Sequence, residues 1–364
     1  MKNGDEESVM WKIGFLRKRS VCILGVIVCI FLMTLTEVRA ADDDKEKLKE
    51  YIISEMWDFT EKINTEDQSF DEDALFETTE EMAEFLRQCR YCVDNVGSYQ
   101  YTFTYYKDIC RYRLCDIIPE YNCKPEDMRR MQEEAGKLLE GLSDDRLSDV
   151  QKALLVHDRL IANCEYYYQA DGDEEYSVIH RAYGAIVNKS AVCAGYAKAY
   201  RYLLEQLGIR CEYIISKELD HAWNIVYIDD VPYHVDTTWD DLKEDVVGYV
   251  KHENFLVSSK KFYERGHKAD DYNTIPNSTQ YDNYFWVDTI SEFQLLDGKI
   301  YYIDRDDAVL KVWANGRHRK LCSVADKWKK HEERLNFSLL ANDGEEILYS
   351  ISDAIYSYNT DTCK

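Results

Sequence analysis

The sequence predicts an α+β fold for the middle of the chain, and three stretches carry that expectation. In "SAVCAGYAKAYRYLLEQLG", residues 190–208, apolar positions Tyr196, Ala197, Tyr200, Leu203, Leu204 and Leu207 recur at helical spacing. Gly208 ends that helix as a left-handed cap. Next come "CEYIIS" (211–216), "HAWNIVYI" (221–228) and "VPYHVDTT" (231–238), three strand-like runs. Asp229 and Asp230 between the last two are a turn signal, so those two runs form a hairpin. Upstream, "DMRRMQEEAGKLLEGL" and "SDVQKALLVHDRLIANCEYY" are two helices separated by "SDDRLSD", with Pro125, Glu126 and Asp127 resembling a helix start.

At 364 residues the chain is long for one domain, and 45% hydrophobic composition is ample for a buried core. We expect four segments: an export signal or signal anchor (1–40), a helical Tyr/Cys-rich region (41–125), the α+β core (126–265) and a β-rich repeat segment (266–364). The opening "KIGFLRKRS" is basic, "VCILGVIVCIFLMTL" is an apolar run of 15 residues, and "TEVRA" ends in the small-residue pattern cut after Ala40. The run is shorter than the ~20 residues a spanning helix needs, unless flanking residues extend it into an uncleaved anchor. The expected location is therefore secreted or cell-surface, with membrane contact only through an uncleaved N-terminal segment.

The first 40 residues hold six Lys/Arg and four Asp/Glu, leaving 39 basic against 65 acidic residues, a balance of −26. Such a surface repels nucleic acid and anionic lipid headgroups. Of 12 cysteines, ten follow the signal, and Cys89, Cys92, Cys110, Cys115 and Cys123 crowd into one stretch. In an exported protein these read as disulfides or buried thiols; Cys89 and Cys92 have zinc-ligand spacing, but no histidine lies nearby. "LDGKIYYIDRDDAVLKVWANG" is echoed 46 residues later by "NDGEEILYSISDAIYSYNTDT". That period suggests propeller-like blades, although two copies cannot close a ring and a small antiparallel sheet fits equally.

Cys193 falls at the start of the 190–208 helix. A thiol there faces unpaired N–H groups and the positive end of the dipole, which favour an anion, although an isolated cysteine is more often simply packed. A two-residue loop at Asp229–Asp230 puts Trp223 opposite Asp236, with His221 one diagonal step away on the same face. A one-residue slip would separate them. Thiol, imidazole and carboxylate are the parts of a nucleophile, a base and an orienting group. His234 competes with His221 as base, and Asp240 or Asp241 with Asp236 as carboxylate. Trp223 and Trp239 are expected to line the cleft or core.

"SAVCAGYAKAY", "DHAWNIVYI" and "YHVDTTWDD" resemble, in order and spacing, the motifs of bacterial transglutaminase-like proteins, a branch of the papain-like cysteine enzymes. The resemblance covers roughly residues 128 to 260. It implies Cys193 as nucleophile, His221 as base and Asp236 as orienting carboxylate, with no metal or other cofactor in the chemistry. The expected function is an exported thiol acyltransferase or hydrolase acting on amide bonds of proteins, peptides or cell-wall peptides. The oxyanion would be held by the Cys193 N–H and a second donor, for which Tyr183 and Asn188 are the candidates. "DGDEEYS" (171–177) is acidic but lacks the ligand spacing of a calcium loop. The alternative is a catalytically idle surface scaffold or adhesion module of the same fold.

Overall fold

The computed structural model describes residues 44–66, 74–168, 178–241, 250–268, 274–289, 291–304, 309–323, 340–351, 354–360 and 362. The expected export segment and the acidic stretch 171–177 lie outside them. No described helix is long and apolar enough to cross a membrane. The chain divides into two units, Met1–Asn122 and Cys123–Lys364.

In the first unit, helix α1 (44–57) buries Leu48, Ile52 and Met56, and α2 (Thr79–Tyr91) buries Met82, Leu86 and Cys89. Thr78 caps α2 by accepting from the Glu81 N–H. The rest departs from the helical region that the sequence led us to expect. Strands β1 (Ile63–Asn64), β2 (Val96–Tyr106) and β3 (Arg111–Tyr121) form an antiparallel sheet in the order β1-β3-β2. The reason lies in "SYQYTFTYY", where aromatic residues alternate with small polar ones. That pattern fits a pleated, half-buried surface better than a helix face.

The second unit holds the expected α+β core. Helix α3 (Pro125–Leu138) begins with proline in its first turn, where the missing N–H costs nothing. Helix α4 (Asp149–Asn163) is closed by a reciprocal cap between Ser148 and Gln151. The short strands β4 (Glu165–Tyr166) and β5 (Ser190–Ala191) pair in parallel just before helix α5 (Cys193–Gln206). Gly208, at φ 74°, ends α5: its own N–H reaches Glu205 O and the Ile209 N–H reaches Leu204 O.

Four antiparallel strands come next in the order β6 (Cys211–Ser216), β7 (His221–Ile228), β8 (Val231–Val235) and β9 (Phe255–Val257). The β7–β8 register runs from Asn224 opposite Val235 to Ile228 opposite Val231, the one expected from a two-residue loop. Asp229 (φ 49°) and Asp230 (φ 63°) both lie in the left-handed region, as a primed hairpin turn demands. Asp236 leaves the ladder to cap the single-turn helix α6 (Thr237–Asp240). Helix α5 is tied to the sheet by Asn224, whose amide donates to Ala197 O and Glu212 O.

Residues 274–283 are bonded to this core. Asp282 accepts from the Ser258 N–H and hydroxyl, Pro276 O accepts from the Ser259 N–H, and Ser278 meets Tyr233. Two antiparallel meanders complete the unit: β10 (Gln294–Leu296), β11 (Lys299–Asp304), β12 (Val309–Ala314) and β13 (Arg317–Ser323), then β14 (Leu340–Asn342), β15 (Glu346–Ile351) and β16 (Ala354–Asn359). They share one core, including Leu296, Leu310, Val312, Leu340, Ile347 and Tyr349. Among the described residues these four- and three-stranded sheets make no closed propeller. The nine described cysteines are free thiols, and the described groups able to hold a metal contain no cysteine.

Candidate active site

Cys193 opens α5 behind Val192, which contributes no side-chain cap. Its position is fixed from outside the helix. The Val192 N–H donates to Ile179 O, and a Cβ on Gly195 would stand 2.5 Å from Ile179 O and 2.7 Å from the Ala191 Cβ. Only glycine lets the first turn of α5 press so closely on the 178–181 segment. Cys193 is half-buried.

His221 begins β7 and Asp236 comes directly after β8, so the hairpin brings together residues 15 apart in sequence. His221 Nε2 donates to Asp236 Oδ2 at 2.7 Å. Cys193 stands close enough to the His221 ring to act on its charge, and with Nε2 committed to Asp236 the nitrogen left for the thiol is Nδ1. Burial on its own would lower the His221 pKa, but the Asp236 charge and hydrogen bond, joined by Cys193, outweigh it and raise the ring to about 10. Asp236 is fully buried, which favours its neutral form. The neighbouring His221 charge and the bonds from His221 and a second histidine, His267, outweigh that and hold it far below the usual carboxylate range. Its other oxygen, Oδ1, accepts from the N–H groups of Thr238 (3.0 Å) and Trp239 (3.1 Å).

The competing residues are placed elsewhere. His234 lies flat on Phe262, its centroid 4.3 Å away; Nδ1 accepts from Trp223 Nε1 and Nε2 meets Ser259 Oγ. Burial and the nearby His267 push its pKa down to about 3, so it is a neutral acceptor inside the core. Asp240 faces His157 and Asn254, and Asp241 accepts from Tyr196 Oη at 2.6 Å. Trp223 is only 1% exposed and belongs to the core beneath His221, centroids 6.0 Å apart. It packs with Ile225 on the same face of β7, the core rather than the cleft half of the expectation. Trp239, 38% exposed, covers both histidines, 5.5 Å from His221 and 3.8 Å from His267.

Of the two oxyanion candidates, Tyr183 is buried with its ring beneath the Arg181 guanidinium, and Asn188 is exposed at the end of the 184–188 turn. The residue that sequence reasoning passed over is Tyr166. Strand β4 sets it beside Ala191, two residues before the thiol. Burial raises its hydroxyl pKa, and the charges of Cys193, Tyr168, Asp220 and Asp236 push it further in the same direction. Its signal was slight: one of three consecutive tyrosines in "NCEYYY".

The transglutaminase-like superfamily model matches residues 136–239, a span that contains Cys193, His221 and Asp236. The chain carries a transglutaminase-like domain. Members of this superfamily are in general cysteine enzymes, although some are inactive. A solved structure described as "Crystal structure of a TGase" is similar at 14% identity over 38% of this chain, with a TM-score of 0.29. The chain spans 44% of that protein's length. A comparison with curated proteins gave no match.

Proposed function

We propose that the transglutaminase-like domain is a thiol-dependent acyltransferase or hydrolase for amide bonds, with Cys193 as nucleophile, His221 as base and Asp236 as orienting carboxylate. The observation that carries this reading is the line in which Asp236 holds His221 Nε2 at 2.7 Å while Cys193 acts on the same ring, whose free nitrogen is Nδ1. The sulfur attacks a carboxamide carbon and its proton passes to His221. The oxyanion is held by the Cys193 N–H, left without a side-chain cap, and the nearby Tyr166 hydroxyl is the second donor we favour. The carbon–nitrogen bond then breaks, the leaving amine takes the proton from His221, and a thioester remains. Water or a second amine, giving up a proton to His221, attacks the thioester and frees the sulfur. Water yields deamidation or peptide cleavage, and an amine yields a cross-link.

The substrate on this reading is a protein or peptide, cell-wall peptides included, and the acidic surface argues against nucleic acid. The proposed location is secreted or cell-surface, set by the N-terminal segment. The test is mass spectrometry of a glutamine-containing peptide library incubated with and without a primary amine. A gain of a single mass unit, an amine adduct or a cut each names one reaction, and Cys193→Ala abolishes all three. Unchanged peptides beside a folded wild-type protein would favour the idle scaffold.

A further inference from the structure

His267 lies beyond the last motif of the domain, yet its Nε2 stands 2.7 Å from Asp236 Oδ2, the same oxygen that receives His221 Nε2 at 2.7 Å. Local sequence explains how it arrives there. Helix α7 (Ser259–Glu264) ends in "ERGH", and Gly266 takes φ 103°, a conformation that favours glycine. The Gly266 N–H reaches Tyr263 O and the His267 N–H reaches Phe262 O, the paired bonds of a Schellman cap. That motif brings the residue after the glycine back over the helix. The His267 ring accordingly stacks on Phe262 at 3.4 Å, and Trp239 closes its other face at 3.8 Å. Held between these two aromatic planes, the ring points its Nε2 at the carboxylate.

A carboxylate oxygen has two lone pairs, and at Asp236 Oδ2 both are used by imidazole N–H groups. Oδ1 is occupied by two backbone N–H groups, so a fully buried carboxylate is held by four donors from three segments. We propose that His267 is a positioning residue for the Cys193–His221–Asp236 line, keeping Asp236 ionised and turned toward His221 by donating to the oxygen that His221 also uses. The inference rests on the function proposed above. The groups facing Asp236 are His221 from β7, His267 after α7 and the backbone of α6, with Tyr166 and His234 within electrostatic reach. Loss of one charge-assisted donor to a buried carboxylate moves its titration upward and loosens the imidazole it orients.

Two variants separate this role from mere packing. His267→Phe keeps a flat ring between Phe262 and Trp239 but removes the donor, and His267→Gln keeps an N–H donor. Two readouts apply: the 13C titration of the Asp236 carboxyl in aspartate-labelled protein, assigned with Asp236→Asn, and the alkylation rate of Cys193 by iodoacetamide at neutral pH. His267→Phe is expected to raise the Asp236 midpoint by about one pH unit or more and to slow alkylation roughly tenfold, with His267→Gln restoring most of both. An unmoved Asp236 midpoint in a folded His267→Phe protein overturns the inference, whatever becomes of the thiol chemistry. If His267→Phe does not fold, the same titration in His267→Gln must stay near wild type. A wild-type Cys193 no more reactive than the other thiols would sink the proposed function alone, because the carboxyl titration still tests His267. The atoms of His221, Asp236 and His267 also lie close enough together to hold a metal ion. Stoichiometric zinc uptake that His267→Phe abolishes, together with loss of activity in chelator restored by zinc, would replace positioning with metal ligation and overturn the inference.

Discussion

At the residue scale, the site depends on a buried charge kept in place by its donors. Asp236→Asn keeps the shape but removes the charge that raises His221, and we expect kcat/KM on a glutamine peptide to fall on the order of 10³-fold or more with the fold intact. Steady-state kinetics beside circular dichroism checks this. The pH dependence of stability has a definite sign. An unfolded histidine titrates near 6.5, so the His221 contribution is fully present below about pH 6.5 and fades as pH rises through about 10. Asp236 runs the other way: its contribution is present above about pH 4 and is lost as pH falls toward its depressed value. Cys193, His221 and Asp236 were legible in the sequence because each sits in a local pattern: a helix start, a strand start and the residue after a hairpin. His267 was not, since two residues past the expected domain edge at 265 nothing in "RGHK" announces that a Schellman cap folds the ring back onto Asp236.

At the element scale, the helix bearing the thiol is positioned by glycine. Gly195→Ala would drive a methyl group into Ile179 O and the Ala191 side chain, forcing α5 away from the 178–181 segment. The expected cost is about 1–3 kcal/mol, read from the urea midpoint, with slower Cys193 alkylation because the sulfur moves with its helix. The β7–β8 hairpin could be read in advance because a two-residue turn and alternating faces permit few registers. The tyrosine-rich hairpin β2–β3 was missed for a related reason. Both strands are long and β2 carries aromatics at alternate positions, but the acidic helices α1 and α2 before them drew the whole region into a helical reading.

At the scale of the whole molecule, a second buried network binds the transglutaminase-like domain to the first of the C-terminal meanders. His157 Nδ1 meets Asp158 Oδ1 at 3.0 Å and its Nε2 meets Asp240 Oδ2 at 3.2 Å; His252 Nε2 reaches Asp158 Oδ1 at 2.9 Å and its Nδ1 donates to Thr289 O. Asp158 Oδ2 accepts from the Phe293 N–H at the approach to β10. Helix α4, helix α6 and the start of the first meander thus share one set of buried charges. Asp158→Ala would take one of two partners from each of His157 and His252 and strand the Phe293 N–H, at an expected cost of about 3–5 kcal/mol in chemical denaturation. Burial opposes charge on His157, but Asp158 and Asp240 raise it to about 9. Its contribution is therefore present below about pH 6.5 and lost as pH rises through about 9, and Tm should decline between pH 7 and 10. A flat Tm over that range contradicts the account. None of this network was readable from sequence, because bonded partners in it lie up to 135 residues apart and no short motif contains two of its histidines.

The central claim is that Cys193 is an activated nucleophile and His221 is what activates it. Limiting iodoacetamide near neutral pH, with peptide mapping of every thiol afterwards, tests it most directly. Cys193 should be labelled ahead of the exposed Cys110 and the half-buried Cys92, Cys123 and Cys322, and His221→Ala should remove that lead. Labelling of Cys193 at the pace of those thiols, or a lead that survives His221→Ala, would contradict it.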